Sequence, residues 1–279
     1  MVLADHLTRN GVAVLRYDDR GVGKSGGDFA TALTTDFAAD AEAAFNYLKT
    51  RKEINKKKIG IAGHSEGGIA APIVAASNKD VAFIVLLAGP GLPGDEMLVL
   101  QNYLIGKASG MPEAQLEQNK VINRSIYSII TTETDRTLMR TKLGDVFDKQ
   151  MKPLYQMQLT PPDEINKQRN AFIEESVSPW LIGLLKHNPA PVLEKVKCPI
   201  LAVNGAKDVQ VGSQQNLQAI KKAAEKGGNK NVTVKEFPGL NHLFQETGTG
   251  LTDEYGTIEQ TFSPVVLNEV SAWIKSVIN

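Results

Sequence analysis

Apolar positions along the chain fall into two rhythms. Five short runs are almost continuously apolar or β-branched: VAVLRY (12–17), KIGIAG (58–63), VAFIVLLAG (81–89), PILAVNG (199–205) and VTVKEF (232–237). Runs of this length and density predict strands buried on both faces, as in parallel sheets. Between them, apolar residues recur at helical spacing. From Thr35 to Lys49 the stripe Phe37, Ala41, Ala44, Phe45 and Leu48 predicts an amphipathic helix, opened by Thr34 and Thr35 with Asp36 in the first turn. Gly67 to Ala76 reads as a helix of small apolar residues, suited to close packing on a sheet. Strands alternating with helices predict an α/β domain, a mostly parallel sheet covered by helices.

One region breaks the alternation. From about Pro90 to Pro191 no run reads as a strand, and the text becomes amphipathic, rich in Gln, Glu, Lys and Met, and punctuated by MP, KP, TPPD, SPW and NPAP. A stretch that long is no loop in a compact domain. It predicts a helical cap insertion at 90–190 between two halves of a core, 1–89 and 191–279, with its stem near Gly89 to Gly94 and Asn188 to Pro191. Met97, Tyr103, Trp180 and Leu184 are expected to fill the interior of that cap rather than line a pocket.

Composition narrows the picture. The chain has 279 residues, 42% of them hydrophobic, enough for one large domain or a core with an insertion. Thirty-one basic residues balance thirty-one acidic ones, and the one dense basic run, Lys56-Lys57-Lys58, reads as a solvated turn. That balance points away from nucleic acid and from anionic membrane surfaces. A lone cysteine, Cys198, excludes an internal disulfide framework and any multi-cysteine metal site. No run approaches the ~20 apolar residues of a membrane span, and MVLADHLTRN lacks the regions of a signal peptide. The chain reads as soluble, cytoplasmic if Met1 is the true start and exported if a segment precedes it.

The strongest chemical signal lies in IGIAGHSEGGIAA. Gly63-His64-Ser65-Glu66-Gly67 is G-x-S-x-G, set between a predicted strand and a predicted helix. Such a turn forces the serine into a strained conformation, which calls for glycine two positions to either side, and leaves its hydroxyl exposed above the sheet. A nucleophilic serine needs a base and an orienting acid, following in the order Ser, Asp, His. Asp208, after PILAVNG, and His242, after VTVKEF, both sit just past a strand's carboxyl end, where open α/β sheets place their ligands. The other histidines have other addresses: His6 on the first helix, His64 inside the turn, His187 in the cap. Asp80 and Asp95, flanking the third run, are weaker candidates for the acid.

These features together resemble the α/β-hydrolase superfamily, and within it bacterial carboxylesterases whose nucleophile turn reads GHSEGG. The resemblance rests on YDDRGVGKSGG, GHSEGG, LAGPG, NGAKDVQV, PGLNHLFQ and the tail EYGTIEQTFSPVVLNEVSAWI, and so covers most of the chain. It implies a serine esterase with Ser65, Asp208 and His242 as its triad, a small-molecule carboxylic ester as substrate, and neither metal nor cofactor. His242 would take the Ser65 proton during attack, and the backbone N–H of Glu66 would help hold the oxyanion. A thioesterase, an acyltransferase or a peptidase would use the same residues. So would a truncated remnant, weakly active or non-catalytic.

The stretch YDDRGVGKSGG also imitates two nucleotide-binding loops. A Walker loop needs glycine where Asp18 stands, and a dinucleotide loop should run straight into a helix, whereas the next helix begins only near Thr34. In the hydrolases it resembles, the loop is scaffolding, and Asp18, Asp19 and Arg20 are expected to tie it beneath the site.

Those hydrolases carry a strand and an oxyanion loop ahead of the helix that LADHLTRN resembles, and the strand lies between those corresponding to VAVLRY and KIGIAG. An unfilled gap there would leave two rows of buried backbone groups unpaired. Three outcomes would avoid that gap: VAVLRY moves to pair with KIGIAG, a second chain donates structure, or the chain is a piece of a longer esterase. The favoured expectation is such a piece, with VAVLRY re-paired to KIGIAG and β-rich sequence upstream of Met1.

Overall fold

A computed structural model describes residues 1–278. Four strands, β1 (Ile61–His64), β2 (Ile84–Leu87), β3 (Ile200–Gly205) and β4 (Val232–Phe237), form one parallel sheet in the order β1-β2-β3-β4. Before β1 come α1 (Val2–Arg9) and α2 (Thr34–Thr50), and α3 (Gly67–Ser77) joins β1 to β2. Between β2 and β3 every regular element is helical: α4 (Gly94–Ala108), α5 (Glu113–Thr132), α6 (Arg136–Val146), a π-helical turn at Phe147–Met151, α7 (Lys152–Met157), α8 (Pro162–Ser176), α9 (Pro179–Lys186) and α10 (Ala190–Leu193). Helix α11 (Ser213–Lys226) joins β3 to β4, and α12 (Pro264–Ile278) closes the chain.

The period-two alternation of the central strands sorts their side chains to two cores. Ile84 and Leu86 of β2 and Ile200 and Ala202 of β3 face Phe45, Ala71, Val74, Leu217 and Ile220, from α2, α3 and α11. Val85, Leu87, Leu201 and Val203 face the other way, onto Leu7 of α1 and Val266, Val270 and Ile274 of α12. Both strands are thus apolar on both faces, over Ile84–Leu87 and over 200–203, which is why they read as continuous runs. The helical segment has a core of its own, from Ile126 and Ile130 of α5 through Met139 and Leu143 of α6 to Ile173 and Leu185. A small seam of Ile69, Met97 and Leu184 joins that segment to α3.

The sequence reading of 12–17 is corrected here. VAVLRY forms no strand, and Val14, Leu15 and Tyr17 are exposed. Both ends of the run are anchored away from the sheet edge. On one side α1 is docked on α12, with Leu7 buried, His6 Nε2 3.2 Å from Ser271 Oγ and Lys275 Nζ donating to Asn10 Oδ1 at 3.0 Å. On the other, Arg20 donates twice to the Asp40 carboxylate of α2 at 2.7 Å and also to the Asp36 carbonyl at 2.9 Å. The run spans these anchors, so the expected pairing with KIGIAG does not form. Strand β1 pairs with β2 alone, and its other edge is open among the described residues. The remaining strands are shorter than the runs that announced them, except β4, which matches 232–237. Among the described residues no helix is long and apolar enough to cross a membrane.

Candidate active site

Strand β1 ends at His64, and the chain turns sharply into α3 through Ser65 and Glu66. Ser65 has φ of 53°, the left-handed region that non-glycine residues rarely adopt. The turn is pinned by the Ser65 N–H donating to the Leu87 carbonyl at 2.9 Å and the Gly68 N–H donating to the Ser65 carbonyl at 2.8 Å. A Cβ at Gly63 would lie 2.0 Å from the Gly67 carbonyl oxygen, and one at Gly68 would lie 2.5 Å from the Gly89 Cα. Those two glycines are therefore demanded by close backbone approach. Gly67 is not, because a Cβ there meets nothing within 4 Å. The steric argument for glycine on both sides of the serine holds on the Gly63 side only.

Asp208 lies just beyond β3 in a turn built from its own carboxylate. Its Oδ1 accepts from the backbone N–H groups of Gln210 and Val211 at 2.8 and 2.9 Å, and buried Asn204 donates to the Val211 carbonyl at 2.7 Å. The other oxygen, Oδ2, is 2.8 Å from His242 Nδ1, and both residues are buried. Nδ1 carries the hydrogen toward the carboxylate, which leaves Nε2 free to accept a proton.

His242 is presented by a loop knotted around Asn241. The Asn241 side chain accepts from the N–H groups of Leu243 and Gln245 at 3.0 and 2.9 Å and donates to Gln245 Oε1 at 3.0 Å. Phe244, fully buried at φ of 59°, anchors the loop in the sheet core and stacks on Phe262. Sequence reasoning missed Asn241 and Gln245. The available signal was an asparagine, a frequent turn former, immediately before the candidate base.

His64 joins this loop to the nucleophile turn. Its Nε2 is 2.9 Å from the His242 carbonyl oxygen, so that nitrogen bears the hydrogen, and the two imidazole rings are 4.7 Å apart. Surrounding protein atoms, and next the charge His242 can carry, push the His64 pKa below its ordinary value. Asp208 and His242 are thus brought into contact, and His242 is held against the residue preceding Ser65. The Ser65 hydroxyl itself makes no hydrogen bond among the described residues. The Glu66 N–H, at the N-terminus of α3, is likewise unengaged there.

The weaker candidates lie elsewhere. Asp80 pairs with Lys49 on the surface, and Asp95 occupies the first turn of α4. Asp18 accepts from the Lys24 N–H at 3.1 Å, and with the Arg20–Asp40 pair this ties the YDDRGVGKSGG loop to itself and to α2. Met97 and Leu184 are buried in the seam, whereas Trp180 is 41% exposed, a correction to its expected interior role. The Cys198 thiol is pushed up to about 11 by burial and is a poor nucleophile at neutral pH. Among the described residues no group of three or more His, Cys, Asp or Glu side chains is placed to hold a metal ion. A groove of about 440 Å³ runs along the open edge of β1, bounded by Leu15, Phe29, Phe37, Ser65 and Glu66 among others.

Residues 1–142 match the family described as serine aminopeptidase, S33. The esterase EstD of Thermotoga maritima is 24% identical over 279 residues, 98% of this chain and 55% of that protein. The chain therefore spans about half the length of that curated relative. An esterase of Pyrococcus furiosus superposes with a TM-score of 0.53 at 15% identity, covering 99% of this chain and 74% of that one. A hypothetical protein of Pseudomonas aeruginosa gives 0.54 at 15% identity, with 99% and 78% covered. At such identities the structural likeness speaks for the fold alone.

Proposed function

The chain belongs to the serine aminopeptidase S33 family and has the α/β-hydrolase fold, and from that premise we propose that it cleaves carboxylic esters through an acyl-enzyme on Ser65. The single observation that carries the reading is the buried Asp208–His242 hydrogen bond of 2.8 Å, in a loop tied through the His242 carbonyl to His64, the residue before a serine held at φ of 53° between a strand and a helix N-terminus. In this reading His242 Nε2 accepts the Ser65 proton as the hydroxyl oxygen attacks the ester carbonyl. Asp208 fixes the imidazole tautomer and stabilises the cation that forms. The tetrahedral oxyanion takes the unengaged Glu66 N–H, favoured further by the positive end of the α3 dipole. His242 then returns its proton to the departing alcohol, and a water deprotonated by the same imidazole hydrolyses the acyl-enzyme. Residues 90–190, in the same reading, are a helical cap over a core of 1–89 and 191–279.

The family's description favours a second reading, removal of N-terminal amino acids from peptides, in which His242 would protonate a leaving amine. An aminopeptidase must hold its substrate's ammonium group, and Glu66, the carboxylate beside Ser65, is already engaged by Thr34 and Trp180. That engagement favours the ester. The test uses a fluorophosphonate probe with mass spectrometry, then p-nitrophenyl butyrate against alanine p-nitroanilide. The expected result is one adduct, on Ser65, and turnover of the ester far above that of the anilide. An adduct elsewhere, or none on folded protein, removes the nucleophile assignment, and faster turnover of the anilide installs the peptidase.

A further inference from the structure

The geometry points to Glu66 as a positioning residue that latches α9 onto the nucleophile turn and so sets the width of the opening over Ser65, an inference that rests on the reading of Ser65 as nucleophile. The side chain of Glu66 collects two distant parts of the chain. Its Oε1 accepts from the hydroxyl of Thr34, the first residue of α2, and from the indole N–H of Trp180 at 3.2 Å, while Oε2 lies 3.3 Å from that same N–H. These partners are 32 and 114 residues away in sequence. One carboxylate therefore ties a core helix, the nucleophile turn and a helix of the segment between β2 and β3.

Trp180 gives the contact its direction. A tryptophan 41% exposed is not placed by core packing, and its one polar atom is spent on Glu66. Leu184 lies one helical turn further along the same face of α9 and is buried against Ile69 of α3. Helix α9 thus rests on the start of α3 at two points, an apolar one at Leu184 and a charged one at Trp180. The rest of α9 is packed on α4 and α5, with Leu185 in the core of the helical segment, and the Glu66 bond is what fixes its first turn to the nucleophile turn. The hydrogen bond is charge-assisted, the stronger class. The residue that lends its backbone N–H to the oxyanion in the proposed mechanism would thereby also hold the roof above it.

The test compares Trp180→Phe, which keeps the ring and removes the donor, with Glu66→Ala, Glu66→Gln and the Trp180→Phe/Glu66→Ala pair. Hydrogen exchange reads the latch without reference to catalysis. The amides of α9 are expected to exchange about tenfold faster in Trp180→Phe and Glu66→Ala, with α12 unchanged, as for loss of one charge-assisted hydrogen bond. In ester hydrolysis, Trp180→Phe is expected to raise KM for p-nitrophenyl butyrate about three- to tenfold and to leave kcat within about twofold. Glu66→Ala is expected to raise KM likewise, and Glu66→Gln, which can still accept from the indole, to keep KM closer to wild type. The double variant is no worse in KM than the worse single one, because both changes remove the same bond. Unchanged α9 exchange in the single variants overturns the latch whether or not esters are hydrolysed. Additive KM effects, or a fall in kcat with KM unmoved in Trp180→Phe, overturn its role at the opening. Absence of both Ser65 labelling and hydrolysis in the wild-type chain is a different failure, that of the nucleophile reading.

Discussion

The proposed acid and base on one side, and the proposed nucleophile on the other, stand in unlike surroundings. Asp208 and His242 rise from β3 and β4 into turns where nearly every polar group is spoken for: Asp208 accepts three hydrogen bonds, and Asn241 closes the base loop on itself. Glu254 stitches the adjoining segment, accepting from Thr249 Oγ1 at 2.7 Å, the Thr249 N–H at 2.9 Å and the hydroxyl of Thr247, contacts that take its carboxyl down to about 2. Ser65 rises from β1, whose far edge pairs with nothing among the described residues and borders a groove with exposed apolar walls. One side is held by many redundant contacts. The other depends on a few backbone approaches, at Gly63 and Gly68, and on His64 and Glu66 reaching across to the rest of the molecule. On the proposed reading, perturbations are expected to reach Ser65 before they reach the Asp208–His242 pair.

The largest expected effect breaks the better-held side chemically. Asp208→Asn loses the carboxylate that fixes the His242 tautomer, and kcat is expected to fall by about 10⁴-fold, while Asp80→Asn and Asp95→Asn stay within about twofold. Steady-state kinetics on p-nitrophenyl butyrate decides it, and equal losses at the three positions would move the acid elsewhere.

Next come the glycines of the nucleophile turn, which separate close approach from open space. Gly63→Ala drives a Cβ to 2.0 Å from a backbone oxygen and is expected to destabilise by about 3 kcal/mol or more. Gly67→Ala meets nothing within 4 Å, begins a helix, and is expected to be neutral or to stabilise by up to about 1 kcal/mol. Denaturant titration of the two variants should give opposite signs, and a large loss for Gly67→Ala would mean that the space beside the turn is filled.

A third comparison sets the middle of the sheet against its open flank. Leu201 on β3 is completely buried, and Leu201→Ala is expected to cost about 2–5 kcal/mol. Leu15, in the run that reads as a strand, is 37% exposed, and Leu15→Ala should stay within about 0.5 kcal/mol. A loss at Leu15 comparable to that at Leu201 would show that residues 12–17 are packed in solution.

How far the sequence was legible follows from the same contrast. Strands β2 and β3 announced themselves because both their faces are buried, so β2 and positions 200–203 of β3 had to be apolar. VAVLRY carried the same local signal and failed, because a strand needs a neighbour and its flanks were committed to α12 and α2. The G-x-S-x-G turn was legible because close backbone approach at Gly63 leaves a mark in the residues themselves. Asp208 and His242 could be picked out by their place after strands. The contacts of Asn241, His64 and Glu66 were not visible, since each depends on which distant residue arrives beside it, and nothing in the spacing of Glu66 and Trp180 foretells that they meet.

The smallest effect is a pH dependence of stability. His64, shielded by surrounding protein atoms and set beside His242, and half-buried His187, just after α9, both have pKa values below their ordinary one, so folding disfavours their protonated forms. Below the unfolded value of about 6.5 the unfolded chain binds these protons before the native one does, and stability rises with pH there. The contribution is complete above about 6.5 and is lost as pH falls through the lowered native values. The carboxylates work in another window: Glu254, held at about 2, loses its contribution only as pH drops from its ordinary range toward that value. Denaturation midpoints at pH 7.5 and 5.5 therefore isolate the histidines, and the wild-type chain is expected to be the less stable at 5.5. His187→Gln should shrink the difference without touching the acid–base pair, and His64→Gln should shrink it while loosening the tie between the base loop and the nucleophile turn. A wild-type midpoint that does not move between the two pH values, or a His187→Gln difference as large as wild type, would show that partial burial of this imidazole is not what disfavours the proton.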